Sequence, residues 1–247
     1  ALAESKAETK AKGKSFALLV GINEYKMKPL SGAVNDVKDL HNVLVKVFNF
    51  SDDKKHIVEL LDGDATKKRI LEMFRSQLID NAKNNPDGMF VFQFSGHGTQ
   101  VTDDKAHQDE LDGLDEALVP GDVNSKVFKS PDQLRSALIT DDELSALLRE
   151  LCQATKNVII ITDSCRSGTN LRSAGRGYTS RFVEMKDLGL DIPRKRQSET
   201  LQNSDSFEKF DIPSDRYIAI SGSDASHNAI ETFQKVSDAD DKFNGLM

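Results

Sequence analysis

A chain of 247 residues, 38% hydrophobic and 30% charged, can bury one large core or two small ones behind a wet surface. Its net charge of −7 excludes general nucleic-acid binding, which needs a basic face, and no apolar run approaches the roughly 20 residues that span a bilayer. Cys152 and Cys165 make no disulfide framework, so the expected setting is reducing and cytoplasmic, with no membrane partner and a monomeric chain.

Residues 1–14, ALAESKAETKAKGK, read as a charged, disordered lead-in. FALLVGI (Phe16–Ile22) is then a buried strand, and Val34, Val37, Leu40, Val43, Leu44 and Val47 recur at helical spacing. HIVELL (His56–Leu61) predicts a second strand, and Ala65–Ala82 an amphipathic helix with Ile70, Leu71, Phe74, Leu78 and Ile79 on one face. GMFVFQFSG (Gly88–Gly96) is a third strand, closed by Gly96-His97-Gly98. Residues 101–135 form an acidic excursion with one short strand at Ala117–Val119. Thr140 and Glu143 make a capping box for a helix that runs to about Ala154, with Cys152 as an apolar filler. VIIIT (Val158–Thr162) is a fourth strand, residues 166–214 are polar and Arg-rich, and RYIAIS (Arg216–Ser221) is the next strand. Strands alternating with helices imply a mostly parallel sheet covered on both faces.

The chemistry gathers where strands end, because parallel sheets collect functional groups at their carboxyl edge. His97 and Cys165 each follow a strand directly. A thiol is mostly protonated at neutral pH, and a nearby imidazole can take its proton, so the two make a minimal nucleophile–base pair. The Gly98 and Cys165 N–H groups can face a developing oxyanion. Either residue alone reads more simply as a core cysteine or a turn histidine; their shared edge favours chemistry.

FQFSGHG, followed in order by DELDGLDEALVP, ITDDEL and IIITDSCRSGT, resembles the metacaspase and orthocaspase branch of the caspase-like cysteine peptidases (clan CD, C14 type). The resemblance also takes in Gly21-Ile22-Asn23, LSGAVNDV and AISGSDASHNAIET, and runs from Phe16 to about Asn244. It implies an α/β, caspase-like three-layer sandwich whose mostly parallel central sheet carries helices on both faces. Residues 15–165 then match the large subunit, 166–214 a linker, and 215–247 a small-subunit segment that reads as cut short. Cys165 is the implied nucleophile and His97 the base, with peptide or protein substrates cleaved after Arg or Lys. Asp36 and Asp163 are the implied acids of the S1 pocket, where two carboxylates suit a guanidinium, and Ser95 is a wall contact.

Calcium dependence in the family implies ligands at Asp112, Asp141 and Asp142. The fourth position, seven residues past the cysteine, holds Arg172. Calcium wants six to eight oxygens, so the site is weakened, completed from elsewhere, or filled by that guanidinium; a solvated acidic loop is the plainer reading. No organic cofactor is expected. Within the linker, self-cleavage is expected after Arg172, Arg176 or Arg181, or else at Arg194-Lys195-Arg196. The rival readings are an inactive scaffold on the same fold and a ligase or transpeptidase.

Overall fold

The computed structural model describes residues 14–102, 114–123, 128–165, 179–190, 212–213, 215–222, 230–234 and 242–245. In chain order the elements begin with β1 (Phe16–Gly21), α1 (Ala33–Lys46) and β2 (Ile57–Leu61). Next comes α2 (Lys67–Met73), which passes through a wider π-type stretch (Phe74–Ile79) into α3 (Asp80–Asn84) and then β3 (Phe90–Ser95). There follow β4 (Gly98–Thr102), β5 (Leu114–Leu118), α4 (Pro131–Ala137), β6 (Ile139–Thr140), α5 (Asp141–Ala154) and β7 (Val158–Asp163). The last described elements are β8 (Thr179–Ser180), β9 (Tyr217–Ser221), β10 (Ile230–Gln234) and β11 (Lys242–Gly245).

Five strands form the central sheet in the order β2-β1-β3-β7-β9, and every neighbouring pair is parallel. Alternation along the strands divides the core between two faces. Ala17, Leu19, Val91 and Ile57 meet Val37 and Leu44 of α1 on one side. Phe16, Leu18, Phe90, Phe92, Phe94 and Ile160 meet Ile70, Phe74 and Leu78, together with Leu144, Leu147, Leu148 and Leu151 of α5, on the other. Helices therefore cover both faces, giving the expected three-layer α/β sandwich. The chain steps from β1 out to β2 and returns on the far side of β1 as β3, so strand order reverses between β1 and β3. Such a reversal opens a crevice at the carboxyl edge.

The capping box on α5 forms as the sequence predicts, with Thr140 Oγ1 accepting from Glu143 N–H and Glu143 reaching back to Thr140 N–H. The helix expected over Ala65–Ala82 instead changes pitch midway. Within the π-type stretch the buried Gln77 turns its amide onto the carbonyls of Lys55 and His56, an interaction invisible to apolar periodicity. The acidic excursion holds more order than one short strand at Ala117–Val119: β5 runs over Leu114–Leu118 and joins the flanking β4 and β6 in a separate antiparallel sheet, and α4 begins at Pro131. Among the described residues no helix is long and apolar enough to cross a membrane.

Candidate active site

β3 and β7 are neighbours in register, with Ser95 opposite Asp163, so the turns after them emerge side by side. His97 lies in the first turn and Cys165 in the second. The turns touch: Gly98 approaches so closely that an added Cβ would collide with the Cys165 carbonyl oxygen. Only glycine fits there.

His97 is fully buried and held by a loop that leaves β1. Its Nε2 lies 2.6 Å from the Lys28 carbonyl oxygen. A carbonyl can only accept, so Nε2 carries the proton and Nδ1, which has no hydrogen-bond partner among the described residues, is the basic nitrogen. Tyr25 fixes the same turn: its hydroxyl accepts from His97 N–H (3.0 Å) and donates to the Val119 carbonyl (2.8 Å), and its ring lies 4.6 Å from the imidazole. Asp62 in turn anchors the loop by accepting from Asn23 N–H and Glu24 N–H. Burial pushes the His97 pKa down to about 4, against the opposing pull of the Lys28 and Arg181 backbone carbonyls. Burial likewise dominates at Tyr25, raising its pKa so that the phenol stays a donor.

Asp36 sits in the first turn of α1, and Asp163 ends β7. Between them lies Arg181, whose side chain is wholly buried. Its Nη2 is 2.7 Å from Asp36 Oδ2, and its Nη1 is 2.7 Å from Asp163 Oδ2 and donates to the Asp163 carbonyl at 3.1 Å. Gly222, just past β9, backs the Asp163 carboxylate so tightly that an added Cβ would strike it. Ser95 has another partner, because its buried hydroxyl accepts from Gln93 Nε2.

The Arg181 backbone is held as closely as its side chain. Its carbonyl oxygen accepts from Gly98 N–H at 2.9 Å and from Cys165 N–H at 3.2 Å. The flanking residues take up the same groove. Thr179–Ser180 pairs antiparallel with Ile230 and Glu231 of β10, Ser180 Oγ lies 3.6 Å from Cys165 Sγ, and Phe182 packs against Cys165. Of the linker's basic residues, Arg181 is thus placed in the site; Arg172, Arg176, Arg194, Lys195 and Arg196 lie outside the described residues.

A second group of acids surrounds the start of α5. Asp141 is pushed up to about 7, first by burial and then by the charges of Asp115, Asp142 and Glu116. Arg135 of α4 pairs with Asp115, and its other nitrogen lies 3.7 Å from Asp142. Among the described residues no cluster of three or more His, Cys, Asp or Glu is arranged to hold a metal ion; Asp112 and Arg172 lie outside them. With Arg135 already neutralising Asp115 and Asp142, the described acids do not fit a calcium cage on their own.

Sequence reasoning missed five participants: Tyr25, the Lys28 carbonyl, Arg135, and the buried pair Asp115 and Glu116. A backbone carbonyl leaves no trace in side-chain identity. The other residues carried only a weak signal, as single polar residues beside apolar runs.

The model for "Metacaspase, peptidase C14 domain" matches residues 16–174. Metacaspase-1 of Plasmodium falciparum is 33% identical over 162 residues, which are 63% of this chain and 24% of that protein. Metacaspase-7 of Arabidopsis thaliana is 37% identical over 161 residues, 62% of this chain and 34% of that protein. The chain therefore spans about a quarter to a third of the length of these relatives. A crystal structure of a Geobacter sulfurreducens protein covers 71% of this chain and 59% of its own, at 24% identity and a TM-score of 0.49.

The depressed His97 pKa has a defined effect on stability. Between the unfolded value of about 6.5 and the folded value of about 4, the unfolded chain binds a proton that the folded chain refuses. Stability is therefore lost as pH falls through this window. In Cys165→Ala protein, urea titrations at about pH 7 and about pH 5 should differ by about 2 kcal/mol more than in the Cys165→Ala/His97→Gln protein. Equal pH dependence in the two would show that the imidazole does not titrate from a buried neutral state.

Proposed function

The chain belongs to the metacaspase family through its peptidase C14 domain, and from that premise we propose that it is a cysteine endopeptidase that cuts after Arg or Lys and first processes itself after Arg181. One observation carries the reading: Arg181 pairs through its side chain with Asp36 and Asp163 while its carbonyl oxygen rests on the N–H groups of Gly98 and Cys165. Such a pose suits a residue that precedes a scissile bond.

The chemistry follows from the atoms present. His97 Nδ1 takes the thiol proton, and Cys165 Sγ attacks the Arg181 carbonyl carbon. Charge develops on the carbonyl oxygen, where the Gly98 and Cys165 N–H groups stabilise it. The C–N bond to Phe182 breaks as His97 returns its proton to the leaving amine, which leaves a thioester at Cys165. Water, deprotonated by the same imidazole, hydrolyses that ester and restores the thiol. The imidazole is neutral in the resting state and so has a free lone pair for the thiol proton, but the same burial makes it a weak base, which adds to the barrier of that transfer.

Intact mass of purified wild-type and Cys165→Ala protein tests self-processing. Wild type should yield fragments that end at Arg181 and begin at Phe182. Cys165→Ala and Arg181→Ala chains should show no cut at that bond. A wild-type chain that stays whole while cleaving peptides would overturn the assignment.

The same pocket sets the preference for substrates. With fluorogenic peptides, P1 Arg and Lys should be cut and P1 Asp rejected, because a third carboxylate would enter beside two others. Asp163→Ala should weaken transition-state binding of P1 Arg by about 2–5 kcal/mol, as for a broken desolvated charge pair. Equal turnover of P1 Asp and P1 Arg peptides would remove the pocket's basis.

Calcium should act weakly or only at millimolar concentrations, since Arg135 already stands among the acids at the head of α5. Activity measured in chelator and across a calcium titration checks this. Silence in chelator with full activity at micromolar calcium would show a complete ligand set.

A further inference from the structure

We propose that residues 182–190 stay docked after the bond behind Arg181 is cut and act as a resident wall on the leaving-group side, so that the processed enzyme favours substrates with small leaving groups over extended peptides. The proposal rests on self-processing at Arg181 and concerns what that cut leaves behind.

The two sides of the bond are held very differently. On the amino side, Thr179 is exposed, Ser180 is half-buried, and the pair makes only a two-residue strand against β10. The ion pairs of Arg181 are strong there, but hydrolysis gives its carbonyl carbon a second oxygen and a negative charge. That new carboxylate lies beside Asp163 and the thiol, which favours departure. On the carboxyl side the chain is built into the main core. Phe182, Val183 and Leu188 are fully buried, and Val183, Leu188 and Leu190 belong to the same cluster as the central sheet. Val183 N–H donates to the Gly98 carbonyl (3.0 Å), and Thr99 Oγ1 donates to the Val183 carbonyl (2.7 Å).

The rest of the segment closes on itself. Leu188 N–H and Asp187 N–H return to the Glu184 carbonyl, Leu190 N–H returns to Met185, and Gly189 takes the left-handed φ of 85° that ends the turn. Asp187 Oδ2 accepts from Glu184 N–H (3.0 Å) and pairs with Lys28 Nζ at 2.5 Å. Lys28 is also the residue whose carbonyl holds His97. One loop residue therefore ties the catalytic turn to the segment after the cut. None of these contacts passes through the Arg181–Phe182 bond, so none is lost when it breaks.

The consequence concerns substrate geometry. The Gly98 carbonyl and the Thr99 hydroxyl, which a substrate's second leaving-side residue would use, are already taken by Val183. An arylamide leaving group competes only with the freed Phe182 amine, whereas an extended peptide must displace Val183 as well. Loosening the Asp187 tie should relieve the second case and leave the first unchanged.

The test starts from self-processed wild-type enzyme whose new N-terminus is sequenced. Two substrates share the same residues up to a P1 Arg; one ends in an aminocoumarin and the other continues for several residues to a quencher. Wild type should favour the aminocoumarin substrate in kcat/KM. Asp187→Asn keeps the Glu184 acceptor but loses the charge. It should raise kcat/KM on the extended peptide by roughly tenfold, about the effect of one partly buried charged contact, with the aminocoumarin rate within about twofold. Amide hydrogen exchange over 182–190 should stay slow after the cut in wild type. A new N-terminus other than Phe182 would overturn the processing assignment and this proposal with it. A Phe182 terminus with fast-exchanging 182–190 amides, or with both substrates cut equally well and Asp187→Asn without effect, would overturn this proposal alone.

Discussion

Two carboxylates brought into one dry place need a cation, and much of the site's arrangement answers that need. Asp36 arrives on α1 and Asp163 on β7, and both are largely shielded from water. Left alone they would repel each other and lose hydration, at a cost of several kcal/mol. A planar guanidinium resolves this better than an ammonium, because its two outer nitrogens can meet the two acids separately. Arg181 does so, and its position then dictates the rest. With its side chain fixed at the pocket floor, its carbonyl falls onto the Gly98 and Cys165 N–H groups, and Thr179–Ser180 must run extended toward β10. The paired negative charge of Asp36 and Asp163 holds a basic residue of the chain itself.

The His97 imidazole is positioned by a backbone carbonyl. His97 Nε2 is turned onto a backbone carbonyl, so the imidazole is oriented but receives no full negative charge to favour its protonated form. Burial keeps it unprotonated far below neutral pH, because the pull of the neutral carbonyls toward the protonated form is too weak to offset the lost hydration. This arrangement depends on the conformation of the loop after β1, which Asp62 and Tyr25 secure from two sides. Replacing the Lys28 side chain leaves that carbonyl in place, whereas reshaping the loop removes it.

How much of this was legible follows from what each residue advertises. β1, β3 and β7 announce themselves as runs of buried apolar residues, and α5 by its capping box and leucine stripe, so the sheet and the edge bearing His97 and Cys165 could be read directly. The pocket acids came from the resemblance, since nothing in the spacing of Asp36 and Asp163 brings them together across 127 residues (163 − 36). Arg181 was one basic residue among several in a stretch that reads as polar linker. Its burial rests on Phe182, Val183, Leu188 and Leu190, too few and too irregularly spaced to signal an element. β8 is a two-residue strand that pairs with β10 across about fifty residues, and local pattern does not encode that pairing.

The chain meets two acidic clusters with arginines of its own, but under different constraints. Arg135 lies on α4, between β5 and α5, and reaches Asp115 from within a helix whose Leu134 is buried in the core. Its helix is anchored in the core, which keeps the guanidinium within reach of the acids at the head of α5. Arg181 follows a two-residue strand whose partner is likewise short. Cutting its carboxyl-side bond severs its only covalent link to the well-packed Phe182–Leu190 side. An acidic pocket whose cation can exchange would serve as a binding site, whereas one whose cation is fixed is a structural joint. The physical difference lies in how each arginine's flanking chain is anchored, not in the arginines themselves.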